Sequence, residues 1–225
     1  MPVAGIALAA AFAVALVILY RREHSACKAQ RMRLFDGCFA LFERAVLTQD
    51  DVAWPVLTGC YRDHKVRIEP VVDGVVFRQV PSLWLVVSVR QDLPIGGTFD
   101  LLARRRNVEF YSPASELPWC VQLPGGWPDH TTLKSDRKAS ELPLGALDPH
   151  VRALFADPRA KELVVMPGGV RIVYQVQGAD RSEYLVLRSA TFRGAHVSVA
   201  LLESLLERAT AVCADLLRGS DHANA

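Results

Sequence analysis

In Cys60-Tyr61-Arg62-Asp63-His64 a thiol stands four residues from an imidazole. A nucleophile and its general base need that pair of groups, and so do two corners of a zinc site. Neither chemistry is completed by the rest of the chain. Cys27, Cys38, Cys120 and Cys213 are widely scattered and supply no Cys-x-x-Cys spacing, and a strand or loop does not fix such a pair as a helix would. A core-facing cysteine beside a histidine in a turn has the same sequence.

A second cluster is Pro124-Gly125-Gly126-Trp127-Pro128-Asp129-His130, which joins a flexible backbone to a large aromatic, a carboxylate and an imidazole. Trp127 on such a loop suits recognition of a protein partner, because indole covers a large area with few rotors. It can equally lid the domain's own core. His130 with Asp136 or Asp148 could be posed as base and acid, although proximity in sequence fixes no geometry. Arg104-Arg105-Arg106, after an expected strand, offers guanidinium groups to phosphate or lipid headgroups.

The common handles of nucleotide, zinc-protease and hydrolase chemistry are missing: there is no Gly-x-x-x-x-Gly-Lys-Ser/Thr, Gly-x-Gly-x-x-Gly, His-Glu-x-x-His or Gly-x-Ser-x-Gly. No catalytic residue, metal ligand or cofactor is therefore assigned. A net charge of +2, much of it gathered near the N-terminus, gives no mandate for nucleic acid. The five cysteines, odd in number, read as free thiols of a reducing compartment.

The elements that must carry these groups begin with Val3 to Tyr20, which holds no charged side chain. As a helix it spans about 27 Å, close to the roughly 30 Å of a bilayer's hydrocarbon layer. Nothing basic precedes it and Ile18-Leu19-Tyr20 is too bulky for a cleavage site, so residues 1–22 read as an uncleaved signal-anchor helix. Arg21, Arg22, Lys28, Arg31 and Arg33 follow with Glu23 the lone acid among them. By the positive-inside rule the N-terminus faces outward and the domain lies in the cytoplasm, with these five cations available to anionic headgroups. Abundant alanine and an excess of arginine over lysine suit a bacterial source, and hence the inner membrane.

Between Arg31 and Leu47, the residues Leu34, Phe35, Cys38, Leu41 and Phe42 recur at three-four spacing, which predicts a juxtamembrane amphipathic helix within residues 23–50. Lys65 to Val71 and Val75 to Val80 flank Asp73-Gly74, a hairpin signal, with Pro70 implying an edge position. Leu83 to Val89 reads as a strand buried on both faces, and Thr98 to Ala103 as another, completing a β-rich region over 51–111. Residues 112–147, rich in Pro and Gly, read as an irregular connection. In 148–219, Asp148-Pro149 opens a short helix, Pro167-Gly168-Gly169 turns a hairpin, Tyr184 to Ser189 forms a strand and His196 to Leu217 a long helix ended at Gly219, before a tail over 220–225.

The fold class expected is α+β: a single transmembrane helix, then an antiparallel sheet with packing helices, with two similar lobes as an option. The function expected is a membrane-tethered interaction or assembly module with an integral-membrane partner, contacted through Trp127 and through Leu34, Phe35 and Phe42. The alternative is a membrane-bound enzyme using Cys60 and His64, or His130 with a carboxylate.

Overall fold

The structure, a computed structural model, describes residues 2–73, 80–103 and 111–223. Helix α1 (Pro2–Met32) runs without a break from the apolar stretch into the charged one. From Gly5 to Tyr20 every side chain is exposed. Among the described residues α1 alone is long and apolar enough to cross a membrane.

After Met32 the chain departs from the amphipathic helix expected over residues 23–50. Two 3-10 turns, Arg33–Phe35 and Cys38–Leu41, are split by an extended Asp36 and by Gly37 at φ 85°. A left-handed glycine ends the helix ladder at little steric cost. The chain then enters β1 (Glu43–Thr48). The three-four spacing still buries Leu34, Phe35 and Cys38, but on turns that tuck under α4 rather than on a continuous helix.

The remaining elements are β2 (Val56–Tyr61), β3 (His64–Val72), β4 (Ser82–Arg90), β5 (Phe99–Leu102), β6 (Trp119–Val121), β7 (Thr132–Ser135), α2 (Leu144–Phe155), β8 (Ala160–Met166), β9 (Gly169–Gly178), α3 (Arg181–Leu187) and α4 (Val199–Ala223). The strands form one nine-stranded sheet in the order β1-β2-β3-β4-β9-β8-β5-β7-β6. Every pairing is antiparallel. The protein is α+β, and strands from both β-rich stretches meet in this one sheet at the β4–β9 pair.

β4 occupies the interior place its continuous apolar run implies, between β3 and β9. The turn at Pro167-Gly168-Gly169 joins β8 to β9 as expected. Gly169 lies at φ 141°, where a Cβ would come 2.0 Å from the Val89 carbonyl oxygen, so the hairpin can approach β4 only with glycine there. Pro70 pairs with Leu85 of β4 but lies past the last β2 partner, Ile68. Its missing N–H thus falls where the neighbouring strand has ended. The strand expected at 75–80 falls almost entirely outside the described residues, and β3 pairs instead with β2 and β4.

Two other expectations are corrected. Tyr184 to Ser189 is not a strand: Asp180 accepts from the Glu183 amide at 2.9 Å and caps α3. Asp148 is not an N-cap, since α2 begins at Leu144 and Asp148 lies inside it, free to bind side chains. Helices α2 and α4 cover one face of the sheet, and α4 buries Leu202, Leu205, Leu206, Ala209 and Val212 there. The opposite face is capped in part by the segment 111–117, where Ala114 and Leu117 are buried.

Candidate functional site

The joint between α1 and the domain is built from both sides. His24 Nε2 lies 2.7 Å from Asp51 Oδ1, and Gln49 Nε2 donates to the Lys28 carbonyl at 3.2 Å. Arg31 donates to the Val52 carbonyl and lies 5.2 Å over the Trp54 ring, which in turn meets Phe192 edge-on at 6.1 Å. The β1–β2 turn therefore clasps the last two turns of the helix. With Tyr20 at the edge of the hydrocarbon, His24 would lie about 6 Å beyond it, at headgroup depth, and Arg31 about 16 Å beyond. Of the five cations expected to meet headgroups, Arg31 instead holds the joint and Arg33 pairs with Asp36 at 3.1 Å. Arg21, Arg22 and Lys28 remain exposed.

Cys60 and His64 do not form a catalytic pair. In the β2–β3 hairpin Cys60 is opposite Lys65, while His64 is opposite Tyr61. Strand alternation places adjacent residues on opposite faces, so the thiol and the imidazole point to different sides of the sheet.

Trp127 is buried, at 5% exposure. Its Nε1 donates to Asp148 Oδ1 at 2.8 Å, and Arg152 Nε bonds both Asp148 oxygens at 2.9 and 2.8 Å. The Arg152 guanidinium also donates to the Gly126 and Gly125 carbonyls, at 3.0 and 2.8 Å. Arg152, then Trp127, hold the Asp148 carboxyl below the usual carboxylate range. The loop is thereby stapled onto α2, and Trp127 is corrected from partner contact to core. Leu34 and Phe35 are likewise fully buried, and Phe42, half-buried, packs edge-to-face on Tyr61 at 6.3 Å.

His130 is exposed, and its expected carboxylates are engaged elsewhere: Asp136 Oδ1 accepts from the Thr98 amide at 2.8 Å and Asp148 serves Arg152. The sequence reading missed His150, whose Nε2 meets Asp215 Oδ2 at 2.7 Å and ties α2 to α4. Arg104-Arg105-Arg106 lies outside the described residues. No group of three or more His, Cys, Asp or Glu able to hold a metal occurs among the described residues.

A cluster the sequence reading also missed lies on the face away from α4. Asp100 of β5 pairs in register with Val164, and Glu162 of β8 with Leu102, so the two acids share one face on adjacent strands. Both are fully buried. Ser112 Oγ donates to Asp100 Oδ2 at 2.5 Å, and Arg171 Nη2 donates to Glu162 Oε2 at 2.9 Å and to the Tyr111 carbonyl at 3.0 Å. Burial raises both carboxyls, and the neighbouring Asp100 adds to the rise at Glu162, which is pushed up to about 8. Arg171 opposes the shift without cancelling it. Arg171 is the cation bonded to the pair, and one guanidinium beside two buried acids favours keeping a proton on Glu162 at neutral pH. With neither acid open to solvent, the arrangement holds a proton and pins segment 111–114 to the sheet.

The class defined is thus an α+β domain on a single antiparallel sheet, carried behind a helix able to cross a membrane. No protein-family model matches the chain, and no curated protein matches it in sequence. Among solved structures it is similar to the mycobacterial trehalose monomycolate transport factor A, TtfA, at 12% identity and a TM-score of 0.38, over 81% of this chain and 78% of that one. A likeness at that level carries no functional argument.

Proposed function

We propose that the chain is a single-pass, membrane-anchored interaction or assembly module, with its N-terminus outside and its domain on the cytoplasmic side of a bacterial inner membrane. The observation that carries this reading is the first helix: it exposes its whole apolar length from Gly5 to Tyr20, and the chain's own domain covers none of it. Bilayer lipid supplies the missing cover. The exposed Arg21, Arg22 and Lys28, all after the span, favour the stated orientation. Anchoring concentrates the domain at the membrane, so a weak contact with an integral-membrane partner becomes occupied without a catalytic step.

The aromatic presented to a partner is Trp119 rather than Trp127. It is 49% exposed on β6, the outermost strand of the sheet. Gentle detergent extraction followed by identification of co-purifying chains tests the module, repeated with Trp119→Ser. Loss of a stoichiometric partner with the melting temperature retained supports it. Digestion of the domain by protease added outside intact cells would overturn the topology, and a turnover activity that disappears in Cys60→Ala would overturn the function.

A further inference from the structure

On the same face of the sheet as the buried acids, but at the β1 side, Arg44, Lys65, Arg67 and Arg90 line an open cavity of about 440 Å³ with Thr58 and Cys60. The register explains the convergence. Lys65 lies directly opposite Arg90 across the β3–β4 pair, and Arg67 follows Lys65 by two residues on the same face. Like charges directly opposite each other in a sheet disfavour the pairing. Two acids share this face without pairing to Lys65 or Arg90: Glu69 is bonded to Arg67 at 3.0 Å, and Glu43, opposite Cys60 in register, is exposed. Among the described residues Lys65, Arg90 and Arg44 have no ion pair. Arg44 reaches the cavity from a bulge in β1, where the register shifts between Glu43 and Val46 and Arg44 itself takes φ 53°. Bulges re-aim side chains, and an arginine in the left-handed region keeps a conformation that glycine would hold more comfortably.

We infer that this cavity is a binding site for a phosphate-type oxyanion, held by Lys65, Arg90 and Arg44, with the Thr58 hydroxyl at its wall. Guanidinium forks and an ammonium on one concave surface match the several acceptor oxygens of a phosphate or diphosphate, and the bound anion relieves the Lys65–Arg90 repulsion. The ligand's source is either a soluble phosphate compound or a lipid headgroup. The chemistry recognised is common to both.

The test uses the full chain in uncharged detergent, titrated with pyrophosphate at constant ionic strength and followed by calorimetry and melting temperature. Amine-reactive labelling of Lys65, read by mass spectrometry, reports the site itself. Pyrophosphate should raise the melting temperature and shield Lys65. Lys65→Gln with Arg90→Gln should weaken binding by about tenfold or more, with the ligand-free melting temperature unchanged or raised because a repulsion has been removed. A second arm compares the chain in bilayers of phosphatidylcholine alone and of phosphatidylcholine with phosphatidylglycerol. Shielding of Lys65 only in the anionic bilayer identifies a headgroup source, and shielding only by pyrophosphate a soluble one. If neither shields Lys65, or the double variant binds as the parent does, the site is refuted. A response to long polyanions without one to pyrophosphate refutes it as well.

Discussion

Asp100 and Glu162 lie on one face of adjacent strands of the sheet, both fully buried, with Arg171 the cation that meets Glu162. Two acids so placed cannot both ionise without placing two negative charges beside one guanidinium in a dry interior.

The pH dependence follows. Glu162 moves from 4.5 to about 8 on folding, raised by burial and then by Asp100. The folded chain binds this proton more tightly than the unfolded chain does. Stability from it is present in full below the unfolded value and is lost as pH rises through the folded one. Unfolding by urea should show a fall in stability on approaching mildly alkaline pH. Glu162→Gln, which stays neutral and can still accept from Arg171, should remove that fall.

Trp127→Ala should destabilise the protein by about 3–5 kcal/mol, by emptying a core position. Trp127→Phe keeps most of the volume but loses the donor to Asp148, and should cost about 1–3 kcal/mol. Equilibrium unfolding in detergent separates the two. An Ala variant as stable as the parent would mean that Trp127 leaves the core in solution.

Leu205→Asp places a carboxylate between α4 and the sheet, where Leu205 is 2% exposed. The expected loss is several kcal/mol, roughly the cost of burying an unpaired polar group or more. A melting transition at the parent's temperature would show this face of α4 to be open to solvent.

At the joint, Asp51→Asn should leave global stability within about 1 kcal/mol, because an exposed ion pair contributes little. Arg31→Ala should cost about 1–2 kcal/mol through its lost hydrogen bond to the Val52 carbonyl and its stacking on Trp54. Both should broaden the orientation of α1 relative to the domain. Spin labels on α1 and β2 would read this as a wider distance distribution.

The sequence made legible those elements whose signal is local. β4 carries an unbroken apolar run, the β8–β9 turn has the glycines its geometry requires, and α4 keeps one buried stripe from Leu202 to Leu216 at helical spacing. Leu34 to Phe42 misled because its spacing is helical while Gly37 and Asp36 break the backbone between the buried residues. Tyr184 to Ser189 read as a strand on its apolar residues, though Asp180 with Glu183 three residues on is a helix-start signal. The acid pair was illegible because its members are 62 residues apart in the numbering, joined only by the β5–β8 register. A hint did exist: a carboxylate inside an otherwise apolar strand, as in Phe99-Asp100-Leu101-Leu102, needs a partner if buried.

Helix α1 passes from its apolar stretch to the clasp at His24 and Arg31 with no hinge, glycine or proline between Tyr20 and Met32. Rotation about the helix axis is consequently transmitted to the domain as by a shaft to its gear. One residue inserted after Tyr20 turns everything beyond it by about 100° and lifts it by about 1.5 Å, whereas seven restore nearly the original heading. Under the proposed anchoring, the azimuth that the sheet presents to a membrane partner is set by the number of residues between bilayer and clasp, and a length series there should make partner capture rise and fall with the helical period.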